Sequence, residues 1–162
     1  MKKFLKNIGL TALLLFVIVI GNQQKVYAHC EIPCGIYADS LRIVMISEDI
    51  VTIAKSMNKI NKLSASEFIN YNQLVRWINN KELHANKIQQ IATQYFMFQR
   101  VKLTDDAAKQ KKNQQMLSLL HEICVYAMKT KQTADLKYVE KLKYTLQEFS
   151  ELYFEASGHH HH

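Results

Sequence analysis

The sequence is poor in turn formers, with one proline and four glycines in 162 residues. A fold of many short strands needs such residues at every hairpin, which argues against an all-β architecture. No compositional bias replaces them: 48% of residues are apolar, 10% aromatic and 22% charged, a globular balance that excludes a disordered or collagen-like chain. A membrane-length apolar run is missing too. The longest, Ile8–Ile20, falls short of the ~20 residues a spanning helix needs. No basic stripe interleaved with aromatics is present, so nothing points to nucleic acid.

What is there begins with an export signal. Lys2, Lys3 and Lys6 precede the Ile8–Ile20 run, and Val26-Tyr27-Ala28 closes it with small or medium residues at the two positions a signal peptidase inspects. The expectation is a signal peptide over residues 1–28, cleaved after Ala28, and an exported protein, periplasmic or secreted, with no membrane attachment after cleavage. Lipid attachment at Cys30 is ruled out by the bulk of His29 before it. The segment carries four lysines and no acid, so four of the seven net positive charges leave with it.

The remainder reads as helix throughout. Ile43, Ile46, Ile50, Ile53, Met57 and Ile60 recur at spacings of three and four, the mark of one apolar stripe, with Asp39 or Ser40 as N-cap. Ser64 with Glu67 three residues on has the form of a capping box and predicts the second helix there. Its stripe runs through Phe68, Val75 and Ile78, then Ile88, Ile91, Tyr95 and Phe98. Between the two halves, Asn79-Asn80-Lys81-Glu82 predicts a shifted face or a polar neighbour. Thr104-Asp105-Asp106 opens a third helix with Met116, Leu120, Ile123 and Ala127 inward, ending within Lys129–Thr133. Val139, Leu142, Leu146, Phe149 and Tyr153 mark the fourth. Short polar connections make neighbours antiparallel, so the fold class is all-α: an antiparallel four-helix bundle over residues 29–158.

The chemistry lies ahead of the bundle, in His29-Cys30-Glu31-Ile32-Pro33-Cys34-Gly35-Ile36-Tyr37. Cleavage after Ala28 turns His29 into a free amino terminus, placing a primary amine beside an imidazole and a thiol, with a second thiol four residues on. Metal binding favours the deprotonated forms of thiols and amine. Two thiolates with amine and amide nitrogens form a mixed nitrogen–sulfur set that suits Ni(II) or Cu(II) better than tetrahedral zinc. Two cysteines in an exported chain also describe a disulfide. A carrier that binds nickel or copper without turnover is a further reading of the same residues.

The pattern His-Cys-x-x-Pro-Cys-Gly-x-Tyr at a processed amino terminus, followed by a four-helix bundle, resembles nickel superoxide dismutase and its nickel-binding hook. The resemblance implies disproportionation of superoxide to dioxygen and hydrogen peroxide through Ni(II) and Ni(III), with one nickel ion per subunit. It assigns as ligands the amine of His29, the backbone nitrogen and thiolate of Cys30 and the thiolate of Cys34, with the His29 imidazole axial in the oxidised state. Pro33 and Gly35 shape the hook, Tyr37 borders the substrate, and family members are homohexamers. Glu31 stands where Asp is common. The acid and arginine that steady the imidazole in relatives fall near Val44 and near Asn79 or Asn80 here; Glu48 and Arg76 are the candidate substitutes.

Other polar residues read as structural. Cys124 lies on the third helix's apolar stripe as an inert thiol. His84 and His121 have no ligand-spaced partner, and Lys109, Lys111 and Lys112 form a solvated face. Apart from Tyr37, the tyrosines read as bundle and interface packing. His159–His162 is expected to be a metal-binding tail, or else a tag.

Overall fold

The computed structural model describes residues 38–157, and helices make up almost all of that span. Helix α1 covers Asp39–Ser64 and α2 covers Tyr71–Gln90, running without a break into a π-helical segment, Ile91–Arg100. Helices α3, Ala107–Gln132, and α4, Lys137–Ser157, complete the bundle, and no strand occurs among the described residues. Each helix packs chiefly on two others: α1 on α2 and α4, α3 on α2 and α4. With connections of only 65–70, 101–106 and 133–136, consecutive helices run in opposite directions. The expected signal peptide, 1–28, the hook, 29–37, and the histidine tail, 159–162, lie outside the described residues.

Three of the four predicted stripes form the core as expected. Ile46, Ile50, Ile53, Met57 and Ile60 of α1 are buried, with Ile43 partly so. They meet Met116, Leu120, Ile123 and Ala127 of α3, and Val139, Leu142, Leu146, Phe149 and Tyr153 of α4. Asp106 caps α3 as its sequence suggests, accepting from the backbone amides of Ala108 and Lys109 at 2.9 and 3.3 Å.

The second helix departs from expectation. Ser64 is the last residue of α1 rather than the start of α2. The nearby Ser66 hydroxyl donates back to the Lys62 carbonyl, 3.1 Å away, serving the end of α1 instead of opening a new helix. The N-cap of α2 is Asn70, whose side-chain oxygen accepts from the Gln73 amide at 3.0 Å. Phe68 therefore falls in the connection and is 87% exposed; Val75 and Ile78 also face outward. At the other end Phe98 is exposed and Phe96 fully buried.

The polar interruption in α2 does meet something polar. Lys81, although 4% exposed, donates to the carbonyls of Lys131 and Thr133 at 2.7 and 3.2 Å, satisfying the C-terminal end of α3. Burial lowers the pKa of its ammonium from the usual lysine value, with Glu82 opposing. Next to it, the Asn80 amide donates to Ser56 Oγ at 2.9 Å, tying α2 to α1.

Phe96 sits at the centre of an aromatic cluster, edge-on to Tyr95, Phe149 and Tyr153 at ring-centroid distances of 5.1, 4.9 and 5.3 Å. Phe96→Ala is expected to lower unfolding stability by about 3–5 kcal/mol. Urea unfolding followed by circular dichroism should show this as a lower midpoint with an unchanged slope.

Candidate active site

The four residues singled out for chemistry, His29, Cys30, Cys34 and Tyr37, precede the first described residue. What the structure supplies is the end of the bundle to which Tyr37 is joined through Ala38. Ala38, not Asp39 or Ser40, is the N-cap of α1, and no side chain caps the helix there. Asp39 has another use.

Its carboxylate collects three side chains from two distant elements. Oδ1 accepts from the Tyr95 hydroxyl and from Arg100 Nε at 2.9 Å, and Oδ2 accepts from the Tyr153 hydroxyl at 2.6 Å. Arg100 Nη2 also donates to the Tyr95 oxygen at 2.7 Å, which closes the arrangement into a ring. Partial burial pushes the Asp39 pKa upward, but the hydrogen bonds from Tyr153 and Tyr95 and the charge of Arg100 together hold it below the usual carboxylate value. Burial and the bond to Asp39 push both phenols up, so Tyr95 and Tyr153 stay protonated donors. The guanidinium carbons of Arg100 and Arg42 lie 4.6 and 5.0 Å from the Tyr95 ring centroid. Both guanidinium groups thus lie against the Tyr95 ring, and Arg100 is the one paired with Asp39.

The π-helical segment makes this possible. Tyr95 and Arg100 are five residues apart, a spacing that diverges around an α-helix. Bonding of the i to i+5 kind brings such residues onto one face, and the Val101 amide bonds the Phe96 carbonyl in that pattern at 3.1 Å. The buried pairs Ile91-Ala92 and Tyr95-Phe96 recur four residues apart along the same segment. A search for three- and four-residue spacings passes over Arg100 for this reason. The available signal was a pair of buried residues recurring every four.

Other polar residues behave as expected. His84 Nδ1 lies 2.5 Å from Asp49 Oδ1 across the α1–α2 contact, a satisfied histidine. Half-buried Cys124 is a free thiol whose pKa burial pushes up. Lys109 and Lys111 are exposed and Lys112 half-buried. Glu48 and Arg76 are both exposed and form no ion pair with each other, and the His29 imidazole they were expected to support lies outside the described residues. Among the described residues no group of three or more His, Cys, Asp or Glu could hold a metal ion. No helix among them is long and apolar enough to cross a membrane.

The family model for nickel-containing superoxide dismutase matches residues 24–157. The chain belongs to that family. Nickel superoxide dismutase is an oxidoreductase, so superoxide is the substrate and nickel the metal of this bundle. No curated protein and no solved structure matches the chain. The family match and the all-α bundle agree with each other.

Proposed function

We propose that the protein is an exported superoxide dismutase whose nickel is held, one ion per subunit, by residues 29–34. The amine and imidazole of His29, the backbone nitrogen and thiolate of Cys30 and the thiolate of Cys34 form the donor set. The family match over residues 24–157 carries the reading. Donor chemistry supports the assignment within the chain. Nickel redox chemistry needs soft thiolate donors, and the chain has three cysteines. Cys124 is half-buried on α3, and its thiol is held protonated by burial. Cys30 and Cys34 are the other two, and the imidazole and future amine of His29 adjoin the first of them.

When bound, nickel would supply the one-electron couple by which two superoxide ions and two protons become dioxygen and hydrogen peroxide. The residues prepare that chemistry. The thiolates of Cys30 and Cys34 would hold the metal and make its higher oxidation state reachable, and the His29 imidazole would be a further donor. Tyr37 borders the position superoxide takes. Export follows from removal of residues 1–28, which also creates the His29 amine. Assembly as a homohexamer covers and orders a terminus too short to hold its own geometry.

Superoxide consumption by nickel-loaded protein starting at His29 tests the reading. Turnover well above spontaneous dismutation is expected. Nickel binding without turnover identifies a carrier, and neither binding nor turnover identifies a disulfide-bearing bundle; each overturns the proposal.

A further inference from the structure

We infer that Asp39 is a positioning residue: clamped by Tyr95, Arg100 and Tyr153, it fixes the root of the nickel-binding segment to the end of the bundle. The inference rests on the site proposed above and extends it to residues outside the hook. An aspartate in the first turn of a helix ordinarily turns its carboxylate onto the free backbone amides there. Here α1 has no side-chain cap, and Asp39 instead accepts from three side chains of the π-helical segment and α4. The helix forgoes its usual stabilisation so that its first residue can be held from two sides.

Each clamp residue is itself held in place. Tyr95 is 6% and Tyr153 8% exposed, both packed on fully buried Phe96. Arg100 owes its position beside Tyr95 to the π-helical winding, since an α-helical turn would carry it to another face. π-Helical stretches are uncommon, and where they occur they tend to mark functional sites. The product of this one is a rigid attachment for the residue two positions after Tyr37. Cys34 is five residues upstream of Asp39, so the chain can carry it no farther than about 18 Å from the clamp. Outer groups that orient a metal's ligands commonly govern affinity by roughly 10–100-fold.

Asp39→Asn, Tyr153→Phe and, as a control, Leu142→Ala test this in natively processed protein. Leu142 is fully buried on α4, eleven residues or about 16 Å along the helix from Tyr153. Its truncation lowers stability without touching the clamp. Nickel affinity, measured by chelator competition, is expected to fall at least tenfold for Asp39→Asn and severalfold for Tyr153→Phe, and to hold for Leu142→Ala. The second readout needs no metal. Chymotrypsin cleavage after Tyr37 in metal-free protein, located by mass spectrometry, should quicken about tenfold in Asp39→Asn and stay near wild type in Leu142→Ala. Should Asp39→Asn not fold, Tyr153→Phe, which removes one hydroxyl, carries both measurements. The inference is overturned if the clamp variants change nickel affinity and cleavage no more than Leu142→Ala does. A wild type that binds no nickel refutes the proposed metal site, while faster cleavage in the clamp variants still upholds the anchor.

Discussion

Cys30→Ser and Cys34→Ser are each expected to reduce superoxide turnover to the spontaneous rate. A serine hydroxyl is not deprotonated at neutral pH and is a hard donor, so it neither replaces a thiolate in the nickel plane nor stabilises the oxidised metal. Sulfur-to-nickel charge-transfer absorption should weaken in each single variant and vanish in the double variant. The fold should survive, because both positions precede the bundle and the described core is built from residues of the helices themselves. Circular dichroism and the thermal midpoint should therefore match wild type while activity is lost. Cys124→Ser is the informative contrast: it should retain nickel and turnover, since that thiol lies on α3 with burial holding it protonated. If Cys124→Ser alone removed the charge-transfer band, the metal would have to be sought at the bundle and the hook assignment would be wrong.

A chain with a single extra residue ahead of His29 is expected to be as inactive as the cysteine variants, although no side chain has changed. The extra peptide bond converts the amine into an amide, a far weaker donor that must lose a proton to bind. It also places the ligand set within a chain instead of at its end. Trimming that residue with an aminopeptidase should restore both nickel binding and turnover. His29→Gln separates the amine from the ring. It keeps the amine and both thiolates, so Ni(II) should still bind, yet turnover should fall sharply for want of an axial donor in the oxidised state. Amino-terminal sequencing of the native protein checks the premise, and any start other than His29 would dismantle the donor set.

Much of the bundle is legible in the sequence because its stripes follow the period of an α-helix. The α1 residues from Ile46 to Ile60 and the α4 residues from Val139 to Tyr153 are all buried as their spacing predicts. Thr104-Asp105-Asp106 announces α3 because an aspartate ahead of a helix has a definite partner in the backbone. Ser64 and Glu67 mislead because a serine satisfies the carbonyls at the end of a helix as readily as the amides at a beginning, and local spacing does not distinguish the two. Phe98 was favoured over Phe96 because the π-helical segment changes the period within the second helical run. The same change hid the clamp: Asp39 reads as a cap, Tyr95 and Tyr153 as packing, and Arg100 falls on none of the stripes. Their meeting depends on a bond pattern that no run of three- and four-residue spacings contains. The ligand motif is read on other grounds, from residue identity and order alone, and it lies outside the described residues.

The hydrogen bond from Tyr153 to Asp39 joins residues 114 positions apart in sequence. Contacts between consecutive helices in such a bundle are local and form early, whereas this one waits for the last helix to be present. The beginning of the chain is thus fastened by its end. A nascent or truncated chain lacking the final turns of α4 leaves the first turn of α1 without its Tyr153 donor. The fastening is in this sense a completion signal, securing the first turn of α1 only in a chain whose last helix has docked.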